Sequence, residues 1–178
     1  MRRAKSQHED RESTLTPKEK RRRTFDRAIK LLASKSRSVA ELRERLLQSR
    51  RATKADVDGV IARLKEYGYL DDERFAFSYA SLKVRQRPIG KRRLERDLKI
   101  KKVDTDTAAK ALDLVFAETS EEELIDRAIE KRLRLKGKPS NRLEAKSLFD
   151  HLLRQGFPFE LVSEKVRAVM QSNFEDED

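Results

Sequence analysis

At 178 residues, 37% of them hydrophobic, the chain suits one compact domain or a row of small units and is too poor in apolar side chains for one deep core. Its 43 Lys and Arg against 32 Asp and Glu leave a net charge of +11, a field that draws polyanions such as nucleic acid, a nucleic-acid-coated filament or an anionic membrane surface. Zero cysteines exclude disulfides, thiol catalysis and cysteine-ligated zinc, and two histidines, His8 and His151, leave little for other metal sites, so neither cofactor nor metal is expected.

The N-terminal segment MRRAKSQHEDRESTLT has no apolar centre of the signal-peptide kind, and no apolar run approaches the roughly 20 residues that span a bilayer. A soluble, cytoplasmic protein is expected. Thr16, Pro17 and Glu19 read as a helix cap with proline at the first helical position, so residues 1–23 comprise a basic polar tail and a helix start. Phe25, Ala28, Ile29 and Leu32 then recur at helical spacing. The run Lys20 to Arg23 is a basic helix face more than an import signal. Ser38 with Glu41 and Thr53 with Asp56 repeat the capping spacing, the second ahead of Val57, Val60, Ile61 and Leu64.

The stretch GYLDDERFA, Gly68 to Ala76, gathers carboxylates in a basic chain. Paired carboxylates serve acid/base catalysis or metal binding, but they also suit a helix start. Gly68 ends one helix, Tyr69 and Leu70 staple the junction, and Asp71 caps the next helix with Asp72 and Glu73 in its first turn. Phe75, Ala76, Tyr79 and Ala80 form that helix's apolar stripe. No histidine, cysteine or phosphate loop stands nearby to complete a catalytic site, so capping is the better reading.

From Lys83 to Lys102 the chain is densest in positive charge: Lys83, Arg85, Arg87, Lys91, Arg92, Arg93, Arg96, Lys99, Lys101 and Lys102 face only Glu95 and Asp97. A helix starting near Pro88 or Ile89 keeps Leu94 and Leu98 for the core and sends Arg92, Arg93 and Arg96 around the remaining face. A solvated surface laced with salt bridges is the plain alternative for any one of these residues; as a segment they point to an anionic partner. Ala108, Ala111, Leu112 and Val115 mark a further helix, and Ser120 with Glu123 another start. A smaller cluster, Lys131, Arg132, Arg134, Lys136 and Lys138, is a second candidate contact. Asn141 with Glu144 opens a helix carrying Ala145, Leu148, Phe149 and Leu152, where His151 reads as structural. Tyr67, Tyr69 and Tyr79 could stack on bases, although their spacing favours packing. The Gly-Lys pairs of IGKRR and KGKPS lack the earlier glycine of a phosphate loop.

Internal repetition organises these helices. DRAI occurs at Asp26 to Ile29 and again at Asp126 to Ile129. A helix-turn-helix template of apolar residues fits Leu47, Ala52, Val57 and Ile61, then Leu98, Val103, Ala108 and Leu112, then Leu152, Phe157, Val162 and Val166. The expected fold is all-α: three tandem three-helix repeats at 24–70, 71–119 and 120–171, stacked into an elongated, curved protein, with an acidic tail at 172–178. Both tails read as disordered.

GYLDDERFA, the basic segment RPIGKRRLERDL and the turn LLRQGFP, set within three helical repeats, resemble the RecX family of bacterial regulatory proteins. Gly68, Tyr69, Leu70, Asp71, Asp72, Arg74, Phe75 and Ala76 carry the most specific part of that resemblance. Arg51 and Lys102 stand where a turn glycine is common, so the backbone there is expected to be strained. The resemblance implies a monomeric, non-catalytic regulator that lodges in the groove of a RecA-like recombinase filament on single-stranded DNA. It also implies contact with that DNA, directly or through the filament, and suppression of ATP hydrolysis, filament growth and strand exchange in DNA repair and the SOS response. A general DNA- or RNA-binding helical module is the alternative.

Overall fold

The computed structural model describes residues 16–49 and 52–175, with side chains as far as Gln171. Nine helices and no strands occur among the described residues: α1 Pro17–Ser34, α2 Val39–Leu47, α3 Lys54–Glu66, α4 Asp72–Gln86, α5 Lys91–Ile100, α6 Thr105–Glu118, α7 Glu121–Lys136, α8 Arg142–Gln155 and α9 Phe159–Glu175. The fold is an all-α helical-repeat fold. Two compact units divide it, one of the described residues through Phe75 with Lys101–Val103, the other of Ala76–Ile100 with the chain from Asp104 onward. Residues 1–15, Arg51 and 176–178 lie outside the described residues, whereas 172–175 of the acidic tail expected at 172–178 belong to α9.

In the first unit the helix starts follow the local capping chemistry. Thr16 and Glu19 form a reciprocal box, as do Thr53 and Asp56, while Ser38 Oγ accepts from the Glu41 amide at 3.1 Å. Ala28, Leu42, Leu46, Val57, Val60, Ile61, Leu64 and Leu70 close into one core, with Phe25 and Ile29 packed against it. Here the repeat template slips by one residue. Leu46 is fully buried, whereas Leu47 is 41% exposed, so the first turn places its core leucine one position earlier than the other two.

Five residues of the acidic junction serve this unit in different ways. Asp71 Oδ1 accepts from the amides of Glu73 at 2.9 Å and Arg74 at 3.0 Å, capping α4. Asp72 instead reaches α2, where its Oδ1 accepts from the Val39 amide at 2.8 Å, a donor at the start of a helix that Ser38 caps only in part. Gly68 adopts φ +68 just past the end of α3, and the amides of Tyr69 and Leu70 both return to the Leu64 carbonyl.

The second unit is organised around a glycine contact. Pro88, Ile89 and Gly90 do not join the helix as expected; Ile89 is buried, and α5 begins at Lys91. A Cβ on Gly90 would collide with the carbonyl of Gly156, and one on Gly156 with the amide of Arg93. Backbone therefore meets backbone, and Gly90 N donates to the Gln155 carbonyl at 3.0 Å while Arg92 N donates to the Gly156 carbonyl at 3.3 Å. Gly156 also carries φ +94 as the left-handed cap of α8.

Candidate partner-binding surface

α5 carries the densest cationic sequence yet has no acidic residue in its own first turn. Four free amides and the positive end of the helix dipole must be satisfied there. Glu121 Oε1, at the start of α7, accepts from the Lys91 amide at 2.8 Å, the Gly156 carbonyl at the end of α8 accepts from Arg92 at 3.3 Å, and the Gly90 carbonyl accepts from Arg93 and Leu94 at 3.2 and 3.5 Å. With its end fixed, α5 buries Leu94 and Leu98 completely.

The ten basic residues of the segment then fall into groups. Arg85, Arg87, Arg92 and Lys99 are exposed and make no side-chain hydrogen bond or ion pair among the described residues; Arg96 is exposed and bonds only to the Arg92 carbonyl one turn back. Lys83 lies half-buried, its Nζ 5.4 Å above the Tyr79 ring. Lys91 pairs with Asp113 at 2.6 Å. Arg93 does not project into solvent with Arg92 and Arg96 as expected. Because α5 docks on the end of α8, Arg93 is half-buried and its guanidinium donates to Gln155 Oε1 at 3.2 Å. Lys101 and Lys102 belong to the first unit, where they pair with Glu41 at 2.8 Å and Glu44 at 2.6 Å, and Ser38 Oγ donates to the Lys101 carbonyl at 2.5 Å. Lys102 takes φ +57, the strained conformation expected of a residue standing in for glycine.

Lys131, Arg132 and Arg134 lie on the last turns of α7. Lys131 and Arg134 are exposed, while Arg132 is half-buried, 3.5 Å from Ser147 Oγ. Arg132 and Lys136 border a groove of about 280 Å³ with Pro139, Glu144 and Ser147. Glu144 is occupied there, accepting from the Ser140 amide and hydroxyl at 2.8 and 3.0 Å. Burial pushes the pKa of His151 below 6.5, and the charges of Arg132 and Arg154 push it the same way. Among the described residues no group of three His, Cys, Asp or Glu could hold a metal, and no helix is long and apolar enough to cross a membrane.

Sequence reasoning passed over Glu121 and Gln155, which position the basic helix, because their partners are about 30 and 65 residues away and no local spacing reveals them. It also passed over Asp104, whose Oδ2 accepts from the amides of Asp106 and Thr107 and starts α6.

Comparison with known proteins places this arrangement. A regulatory protein RecX of Chlorobaculum tepidum is 30% identical over 152 residues, covering 85% of this chain and 91% of that protein. The chain belongs to the RecX family. The family model for the second three-helix domain of RecX matches residues 71–112, which contain the junction's carboxylates Asp71, Asp72 and Glu73 and the basic helix. A Treponema pallidum RecX is 40% identical over 110 residues, 62% of this chain and 66% of its own. Against the RecX of Bacillus licheniformis the identity is 30% over 154 residues, 86% of this chain but only 57% of the relative, so the chain spans little more than half the length of such longer members. The crystal structure of RecX from Lactobacillus salivarius superposes with a TM-score of 0.74 at 18% identity, covering 86% of this chain and 98% of that one, a likeness of fold.

Proposed function

We propose that this RecX chain binds a RecA-like recombinase filament on single-stranded DNA and modulates it, mainly by inhibiting ATP hydrolysis, filament growth and strand exchange. The observation that carries the reading is the set of exposed cations Arg85, Arg87, Arg92, Arg96 and Lys99, carried by α4, α5 and the turn between them. Such cations are attracted by phosphates and by acidic protein surface alike. The relatives are called regulatory proteins, which supports action by binding and without catalysis. The segments 24–70, 71–119 and 120–171 would act as three repeated contact modules of a monomer.

Exposed cations without acidic partners also suit a general DNA- or RNA-binding module. The two readings part in one experiment: single-stranded-DNA-dependent ATP hydrolysis by the cognate recombinase, titrated with the protein. Inhibition at amounts far below those that coat the DNA supports filament regulation; inhibition only at coating amounts supports the general binder.

A further inference from the structure

Tyr67 and Tyr69 stand on the turn between α3 and α4 with 50% and 61% of their surfaces in water, forgoing the stabilisation that burial gives an aromatic ring. The rings are nonetheless held in place. Leu70, 3% exposed, anchors one side of the turn, Gly68 sets its left-handed bend, and the Arg74 guanidinium donates to the Gly68 carbonyl. Arg63 Nε donates to the Tyr67 hydroxyl at 2.9 Å, and its guanidinium lies 5.2 Å above the Tyr67 ring and 5.4 Å above that of Phe25. The two tyrosine rings meet edge to face at 90° with centroids 6.4 Å apart. A partner would find them already ordered, which lowers the entropic cost of binding.

Charge and shape together select that partner. From Arg63 to Arg74 three cations, Arg63, Lys65 and Arg74, stand against four carboxylates, Glu66, Asp71, Asp72 and Glu73, the third of them turned to the Val39 amide, so the segment offers flat aromatic faces with one planar cation among them and no positive field of its own. The chain's net +11 brings polyanions to the protein from elsewhere on its surface. A polyanion that also carries open π-faces is a single-stranded nucleic acid, and an unpaired base needs only an accessible ring and a stacking cation. We propose that Tyr67, Tyr69 and Arg63 form a stacking platform for unpaired bases of single-stranded DNA. This deepens the filament reading and rests on its claim that the chain works on single-stranded DNA.

The chain has three tyrosines and no tryptophan, so tyrosine fluorescence reports on the platform directly. The full-length protein is titrated with an oligothymidylate, without recombinase, and separately with a duplex of equal length. Stacking quenches the emission, and Tyr67→Leu and Tyr69→Leu each weaken single-strand binding about tenfold, whereas Tyr69→Phe stays within about twofold of the parent. Duplex binding is unchanged in all three variants, and the loss caused by leucine is the same at low and high salt, since no counterion is released by a stacked base. Leucine variants that bind the oligothymidylate like the parent overturn the platform, as do variants that lose single strand and duplex equally. If the parent inhibits the recombinase but the oligothymidylate quenches nothing, the platform falls and filament regulation stands. If quenching occurs without inhibition, filament regulation falls and the platform stands.

Discussion

Gly90 and Gly156 meet backbone to backbone, and the space for a side chain on either is taken by the other's turn. This contact seats the N-terminus of α5 on the carbonyls of Gln155 and Gly156, so the direction of the basic helix depends on two hydrogen atoms in place of methyl groups. Gly90→Ala and Gly156→Ala should each lower stability by about 2 to 3 kcal/mol, the cost of overpacking against unyielding backbone. Gly59, inside α3 with open space around its missing Cβ, provides the control: Gly59→Ala meets nothing and should raise stability by up to about 1 kcal/mol. Urea unfolding of the three variants decides it, and Gly90→Ala and Gly156→Ala proteins that keep the parent's stability would mean that the glycine contact is loose.

The same comparison explains why the turn glycine is present at one repeat and replaced at another. Gly156 answers both a positive φ and a close approach, whereas Lys102 answers only a positive φ of 57°. Lys102→Gly should therefore stabilise the protein by up to about 1 kcal/mol. The Lys102–Glu44 pair that it removes is about half exposed on both sides and contributes little. A destabilised Lys102→Gly protein would show that the ion pair outweighs the strain.

What the sequence revealed was local. Thr16, Ser38, Thr53, Asp71 and Asn141 cap their helices because the acceptor and the amide it satisfies lie within three residues, a distance that spacing alone encodes. Ser120 bonds to the amide of Glu122 instead of Glu123, a shift of one position within the same turn. The charges of the basic segment were equally legible as a sum, but their fates were not. Lys101 and Lys102 resemble their neighbours in sequence, yet they pair with Glu41 and Glu44 some 60 residues earlier, and Arg93 differs from Arg92 only in facing the end of α8. Distant partners leave no periodic trace. Asp72 is the clearest case: beside Asp71 it reads as first-turn acid, and its partner is the amide of Val39.

Two carboxylates of the first unit should respond to acid with opposite sign. The hydrogen bond from the Thr53 hydroxyl holds Asp56 below its usual pKa of 3.8 against the effect of burial, so its contribution is full above that value and is lost as pH falls through the lower folded pKa. Burial raises Asp72 above 3.8 despite the Val39 amide, so its ionised form weakens the fold at neutral pH and protonation relieves it as pH falls through the raised value. Relative to the parent, Asp56→Asn should lose stability at pH 7 and little at pH 3. Asp72→Asn, which can still accept from Val39, should match or exceed the parent at pH 7 and lose that advantage at pH 3, while Asp72→Ala costs about 1 kcal/mol at both. Urea midpoints at the two pH values test the pair; parallel pH profiles for the two Asn variants would contradict it.

The placement of Arg93 separates contact from architecture within one helix. The side chains of Arg92, Arg96 and Lys99 are exposed and bond to no other helix, so replacing all three by glutamate moves the net charge from +11 to +5 without touching the core. That variant should melt with the parent, lose most inhibition of recombinase ATP hydrolysis, and bind DNA with a shallower dependence on salt, because fewer counterions are released. Arg93→Ala should do the reverse. It loses the bond to Gln155 at 3.2 Å, costing about 1 kcal/mol, yet inhibits normally below its melting range. Asp71→Ala belongs with Arg93→Ala, for it removes a cap worth about 1 kcal/mol and no contact with a partner. The measurement pairs thermal unfolding with inhibition for each protein. A triple reversal that inhibits like the parent would remove α5 from the interface, and a folded Asp71→Ala protein that fails to inhibit would move the interface to the acidic junction.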